Sequence, residues 1–210
     1  LIEINSVENL IIEKIPFNSL KDYEVILKLI NNSKINCYIN YPRRLLEIYI
    51  LLKKDIIKKK YVKFKVCGYK WGLASNIFHF LDLFVFLTGN KKLFLKNNFL
   101  NKIYKSKRKN FYEINGGLEF ISQENNLLEC IDDKIYENPF ILIETNDMIY
   151  FVDEINNKLI KYSYSNNKIQ KMNLNILYKG LTNLYLDKII LNEDLTLSTL
   201  HESKDNEKLL

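Results

Sequence analysis

The sequence predicts an α+β chain: a short parallel α/β piece, then a larger, mainly antiparallel sheet with helices packed on one face. Three observations carry this expectation. Residues 10–40 read as strand, helix and strand. The segment Trp71–Gly89 is apolar nearly all round and reads as a buried helix. From Phe111 to Met172, short apolar runs alternate with clusters of Asn, Asp and Gly, the pattern of successive hairpins.

Taken in order, Leu10-Ile-Ile-Glu13 is a short buried strand that Pro16 stops. Asn18 or Ser19 caps a helix over residues 20–30, with Asp22 favouring its first turn. Val25, Leu27, Leu29 and Ile30 supply its apolar side. Ile35–Asn40 is the second strand, and a crossover of this length makes the two strands parallel. Pro42 suits the first turn of the next helix, whose apolar positions are Leu45, Ile48, Leu52 and Ile56 or Ile57. Val62, Phe64 and Val66 alternate with Lys63, Lys65 and Cys67, a strand buried on one face. Beyond the buried helix, six strands follow: 117–122, 127–131, 140–144, 148–153, 158–164 and 168–172. Residues 177–191 read as helix, and Thr199-Leu-His-Glu202 is a capping-box pattern for a short last helix. The boundary between the two pieces falls near Lys60, giving units 1–60 and 61–210.

Bulk properties exclude several classes. Of the 210 residues 47% are hydrophobic, enough for a real core, and 13% are aromatic, which argues against disorder. No apolar run reaches the ~18 residues that span a bilayer, and Leu1-Ile2-Glu3-Ile4 lacks the basic region of a signal peptide. The expectation is a chain without membrane attachment. Cys37, Cys67 and Cys130 form no CxxC pair, so neither a disulfide framework nor a metal site is indicated, and a cytoplasmic location fits. The net charge is +6, with basic runs at Lys58–Lys60 and Lys105–Lys109. These read as solvated surface. Arginine, the usual base reader, occurs only at positions 43, 44 and 108, so nucleic acid is not the expected partner.

The buried helix carries the best candidate for chemistry. Asn76, His79 and Asp82 interrupt it three residues apart and stack on one face. Buried polar groups are costly without partners, so the stripe needs internal hydrogen bonds or a ligand. His79 is either a core histidine bonded to a backbone carbonyl or a group that takes up a proton near neutral pH. Lys14, at the carboxyl end of a parallel strand, is either an ordinary exposed lysine or a ligand contact.

Several motifs together resemble one family. Ile11-Ile-Glu13-Lys14-Ile-Pro16 resembles a strand end carrying Glu-Lys-Pro in the Gfo/Idh/MocA oxidoreductases, the glucose–fructose oxidoreductase and inositol dehydrogenase family. Tyr38-Ile-Asn40-Tyr-Pro42-Arg43-Arg44 resembles the family's next strand and helix start. Trp71–Gly89 resembles its catalytic helix, where a His precedes an Asp by three, and Leu195–Ser203 resembles the start of its last helix. The resemblance implies that residues 1–60 are the end of a Rossmann-type domain and that 61–210 form the substrate and dimerisation domain. It implies hydride transfer between NAD or NADP and a sugar or sugar derivative, and a homo-oligomer formed through the sheet face. Lys14 and His79 are the implied catalytic pair. Glu13 and Lys14 lie on the cofactor side. Asn76, Asp82, Arg43, Arg44 and Trp71 lie on the substrate side, with Asp82 able to orient His79 and the arginines able to bind an anionic group. The sequence departs from the family at three places: Ile15 separates the Lys from the Pro, Ser75 stands where many members have Asp, and Ile77 where they have Gly. No G-x-G-x-x-G occurs, so most cofactor contacts are expected from outside these residues, and little activity from this chain alone. The alternative reading is a non-catalytic module of the same fold that binds a carbohydrate or a protein.

Overall fold

The computed structural model describes residues 7–209 apart from 18, 34, 107, 179, 192 and 194, and apart from the side chains of 182 and 207. Strand β1 (Asn9–Glu13) pairs in parallel with β2 (Asn36–Asn40), Glu13 opposite Asn40. Helix α1 (Leu20–Asn31) crosses between them, as expected of a strand–helix–strand unit. Its cap is Ser19, whose Oγ accepts from the Asp22 amide at 3.3 Å; the other candidate, Asn18, lies outside the described residues, as do Leu1–Ile4. The buried stripe of α1 is Tyr23, Leu27 and Ile30, while Val25 and Leu29 are exposed. This corrects the expected apolar side: residues four and seven apart share a face, whereas residues two apart diverge by about 200°.

Pro42 starts a 3-10 turn, Pro42–Leu45, rather than the α-helix expected there. Leu46 is extended, and helix α2 (Glu47–Ile56) begins only after it. Leu45, Leu46, Ile48, Leu52 and Ile56 are buried, and Ile57 is exposed.

Strand β3 (Val62–Gly68) is followed by α3 (Leu73–Thr88), β4 (Leu93–Asn98), β5 (Ile103–Lys105), β6 (Tyr112–Ile114), β7 (Gly116–Ser122) and β8 (Leu127–Asp132). Then come β9 (Phe140–Thr145), β10 (Met148–Asp153), β11 (Lys158–Ser163), β12 (Lys168–Asn173), α4 (Leu181–Ile190), β13 (Ser198–Thr199) and α5 (Leu200–Glu207). Eight of these strands form one sheet in the order β12-β11-β10-β9-β3-β8-β7-β4. The expected meander is therefore interrupted. β3 lies between β8, its parallel neighbour, and β9, its antiparallel one. A strand buried at Val62, Phe64, Val66 and Cys67 is stable only inside a sheet, and only the interior position gives both its edges partners. Cys67 is buried too, so β3 is covered on its second face at that end.

α3 packs on one face of this sheet against Phe64, Val66, Leu128, Ile141 and Ile143. The opposite face presents Lys63 and Lys65, each 2.8 Å from a Glu129 oxygen, and beside them the row Leu142, Phe151 and Ile160. At the far end of the chain, β13 returns to pair antiparallel with β2, and the capping box of α5 forms as expected at Thr199 and Glu202. The main apolar core runs continuously from Tyr23 on α1 to Leu200 on α5. The three cysteines are free and buried. Among the described residues, no helix is long and apolar enough to cross a membrane, and no group of three or more His, Cys, Asp or Glu could hold a metal ion.

Candidate active site around the start of the buried helix

The site is built where the end of β1 meets the first turns of α3. Gly72 starts that helix in the left-handed conformation, φ 82°, which glycine adopts without strain. A Cβ there would stand 2.9 Å from Ser75 Oγ and 3.0 Å from Asn76 Nδ2, so those side chains would have to shift to admit one. With no side chain at the cap, the helix amides are satisfied from elsewhere. Glu113 of β6 accepts from the amides of Ala74 at 3.0 Å and Ser75 at 3.3 Å. A carboxylate in that position is favoured by the positive end of the helix dipole.

Lys14 crosses to α3 from the end of β1. Its Nζ donates to the Ser75 carbonyl at 2.6 Å and to Asn76 Oδ1 at 3.2 Å. Asn76 in turn donates to the Trp71 carbonyl at 2.7 Å, and Trp71 Nε1 donates to the Ile131 carbonyl at 2.8 Å. The peptide bond after Lys14 is cis. Burial lowers the Lys14 ammonium below its ordinary value, helped by the charges of Arg108 and Arg43.

His79 lies one turn along α3 from Asn76. Its ring meets Tyr41 edge-on at 5.6 Å between centroids. Burial, and then the charges of Arg43 and Lys14, push it down to about 3, so it is neutral at physiological pH. Its Nδ1 is buried without a hydrogen-bond partner among the described residues. Such orphaned atoms are rare in folded proteins, and a role in chemistry is one reason for them.

The lower end of the stripe does something else. Asp82 is 0% exposed and is held by Arg44, with Nε to Oδ2 at 2.8 Å and Nη2 to Oδ1 at 2.7 Å. Burial raises the Asp82 carboxyl and Arg44 works against that rise. Arg44, 6% exposed, also lies 3.5 Å from Glu202 on α5. Asp82 therefore does not orient His79, and Arg44 is not free for an anionic ligand: the two neutralise each other inside the core. Arg43 is likewise occupied. It grips Glu154 through two bonds of 2.9 and 2.8 Å and stacks on Phe80 at 4.4 Å. Glu13 is exposed, and its carboxylate accepts from Asn40 at 2.6 Å.

Two cavities flank Trp71 and Asn76, which line both. The smaller, about 210 Å³, is closed by Arg43, Glu154 and Phe140. The larger, about 560 Å³, lies between Lys14, the turn at Lys70 and the β5–β6 hairpin. His79 lines neither of them.

No protein-family model and no curated protein matches the chain. Solved structures do. A UDP-N-acetylglucosamine 3-dehydrogenase from Acidithiobacillus ferrooxidans superposes with a TM-score of 0.69 at 12% identity, covering 95% of this chain and 67% of that one. An oxidoreductase from Agrobacterium radiobacter in complex with NAD+, L-tartaric acid and magnesium gives 0.66 at 12% identity, over 95% and 68%. A super-repressor mutant of Gal80p from Saccharomyces cerevisiae gives 0.68 at 13% identity, over 96% and 68%. The chain has the fold of the Gfo/Idh/MocA-type oxidoreductases.

Within this Gfo/Idh/MocA fold, sequence reasoning missed the β5–β6 hairpin. Tyr104, Lys105, Arg108, Phe111, Tyr112 and Glu113 all come from it and all line the larger cavity. The signal was present in part, since the basic run Lys105–Lys109 is bracketed by aromatics; Lys107 lies outside the described residues. Nothing local marks Glu113, whose role depends on a helix some 40 residues earlier in the chain. Asp132, fully buried, accepts from Tyr104, from Asn115 Nδ2 and from the Lys70 amide, tying hairpin and turn together.

Proposed function

We propose that this chain is the C-terminal portion of an NAD(P)-dependent oxidoreductase that acts on a sugar or sugar derivative by hydride transfer. On this reading residues 1–60 are the end of a dinucleotide-binding unit and 61–210 cover the substrate. The observation that carries it is the contact of Lys14, at the carboxyl end of a parallel strand, with Asn76 on α3, one turn from neutral His79, whose Nδ1 has no hydrogen-bond partner among the described residues. Ligands of open parallel sheets bind outside the strands' carboxyl ends.

The chemistry a nicotinamide supplies when bound is acceptance of hydride from the carbinol carbon. The chain's own residues handle the rest. Lys14 and Asn76 hold the reacting hydroxyl, and neutral His79 takes its proton as the carbonyl forms. The residues present suit the nicotinamide end of the cofactor. The glycine-rich phosphate loop is not in this sequence, so its pyrophosphate is held by residues outside this chain. A second copy of the chain covers the open sheet face at Leu142, Phe151 and Ile160.

The test is sugar-dependent NAD(P)+ reduction by the protein expressed from the whole coding sequence that contains these residues. Lys14→Met and His79→Gln should each lower kcat by roughly 10²–10⁴-fold. Wild-type rates from both variants would remove the catalytic assignment. One observation favours a second reading, a non-catalytic carbohydrate- or protein-binding module: His79 lines neither cavity. Unaltered binding of a sugar by both variants, with no turnover in any of the three proteins, would select it.

A further inference from the structure

Some basic side chains on this fold meet an acid. Lys63 and Lys65 pair with Glu129, Lys59 with Asp147, Arg43 with Glu154 and Arg44 with Asp82. The larger cavity gathers four that do not. Lys14, Lys70, Lys105 and Arg108 line it, and among the described residues none of them makes a salt bridge. The acid on its wall is Glu113, whose Oε2 is engaged by the amides that open α3. Four cations against one carboxylate leave the cavity at +3.

Two of the cations sit on the hairpin and one on the turn at Lys70, which are joined through Asp132. The segments that carry them are thus tied together, while the side chains of Lys70, Lys105 and Arg108 are exposed at the mouth of the cavity. Converging like charges repel unless an anion joins them. A phosphoryl group carries close to two negative charges at neutral pH and three acceptor oxygens, and it matches this set better than a single carboxylate does. Beside Arg108, Phe111 and Tyr112 remain 61% and 63% exposed, an apolar rim next to the charge.

We propose that the larger cavity binds a phosphoryl-bearing sugar, its phosphoryl group held by Lys70, Lys105 and Arg108 and its hydroxyls turned toward Lys14 and Asn76. The sugar part rests on the oxidoreductase reading above; the anion contacts rest on this chain alone. Two sources share this chemistry, a sugar monophosphate and a nucleoside diphosphate sugar.

Calorimetric titration of the full chain with glucose, glucose 6-phosphate and UDP-glucose tests it at fixed ionic strength. At least one phosphorylated ligand should bind roughly tenfold or more tightly than glucose, and whichever binds better identifies the source. The double variant Lys105→Glu/Arg108→Glu should erase that preference. Lys70→Asn, which removes a charge and tolerates the positive φ of 51° at that position, should weaken it independently. Equal affinities for glucose and both phosphorylated sugars, or no binding of any of them, would overturn the proposal. The titration needs neither cofactor nor turnover. Phosphosugar binding by this chain, with no NAD(P)+ reduction by the protein expressed from the whole coding sequence, therefore sinks the oxidoreductase reading alone, and turnover of neutral sugars only by that protein sinks the phosphosugar proposal alone.

Discussion

The two halves of α3 carry the same kind of residue at the same spacing and treat it in opposite ways. In the first half, Asn76 meets Lys14 and lines two cavities, and one ring nitrogen of His79 has no hydrogen-bond partner among the described residues. In the second half, Asp82 is fully buried and meets Arg44 through one hydrogen bond and an ion contact of 2.7 Å. A buried charge that belongs to the fold is paired with its opposite, whereas a group kept for a ligand is left without a partner. The comparison thus separates a structural pair from a candidate reactive group within one helix.

The sealed half should be the easier to break. Asp82→Asn, or Arg44→Met with Asp82 retained, leaves a buried group uncompensated and should cost about 3–5 kcal/mol, read from urea or thermal unfolding. The double variant Arg44→Met/Asp82→Leu should recover most of that loss, because it removes both charges together. If the single changes cost under about 1 kcal/mol, below the range expected of a buried pair, the contrast between the halves fails.

The open half should answer to pH. His79 is held down to about 3, below its ordinary value, by burial and the neighbouring cations. A depressed value means that the unfolded chain binds the proton first. The stability it contributes is full above the ordinary histidine value and is lost as pH falls toward 3. Between pH 7 and pH 5 the loss should be about 1–2 kcal/mol, and His79→Gln should flatten that slope in urea midpoints. An unchanged slope in the variant would show that His79 is not held neutral.

The smallest effect sharpens how the open half is assembled. Glu113→Ala removes the carboxylate that caps α3 across the hairpin, and should cost about 1 kcal/mol. Hydrogen exchange should quicken at Ala74 and Ser75 and leave the amides around Asp82 unchanged. Faster exchange along the whole helix would mean that the two halves are not independent.

How much of this was legible depends on the distance over which each feature is decided. The parallel pair β1–β2, the hairpins from β9 to β12 and the capping box at Thr199 were read correctly, because turn chemistry and periodicity act within a few residues. The resemblance also placed Lys14, Asn76 and His79 in one site, and the structure brings Lys14 to Asn76. Strand β4 and the β5–β6 hairpin escaped. The hairpin's strands have three residues each, too few for alternation to register, and β4 is exposed after Leu93, with no buried face to read.

By itself the sequence determined which segments are buried, which are strands, and that one helix carries polar groups in an apolar setting. These follow from composition and period, which are properties of neighbours along the chain. Only the tertiary structure decided that β3 enters the sheet between β8 and β9, that Arg44 claims Asp82, that Glu113 caps α3, and that four cations with no salt bridge among the described residues line one cavity. Those facts depend on pairing between residues far apart in sequence. Burial demands that each polar group find some partner, and the fold chooses which one it meets.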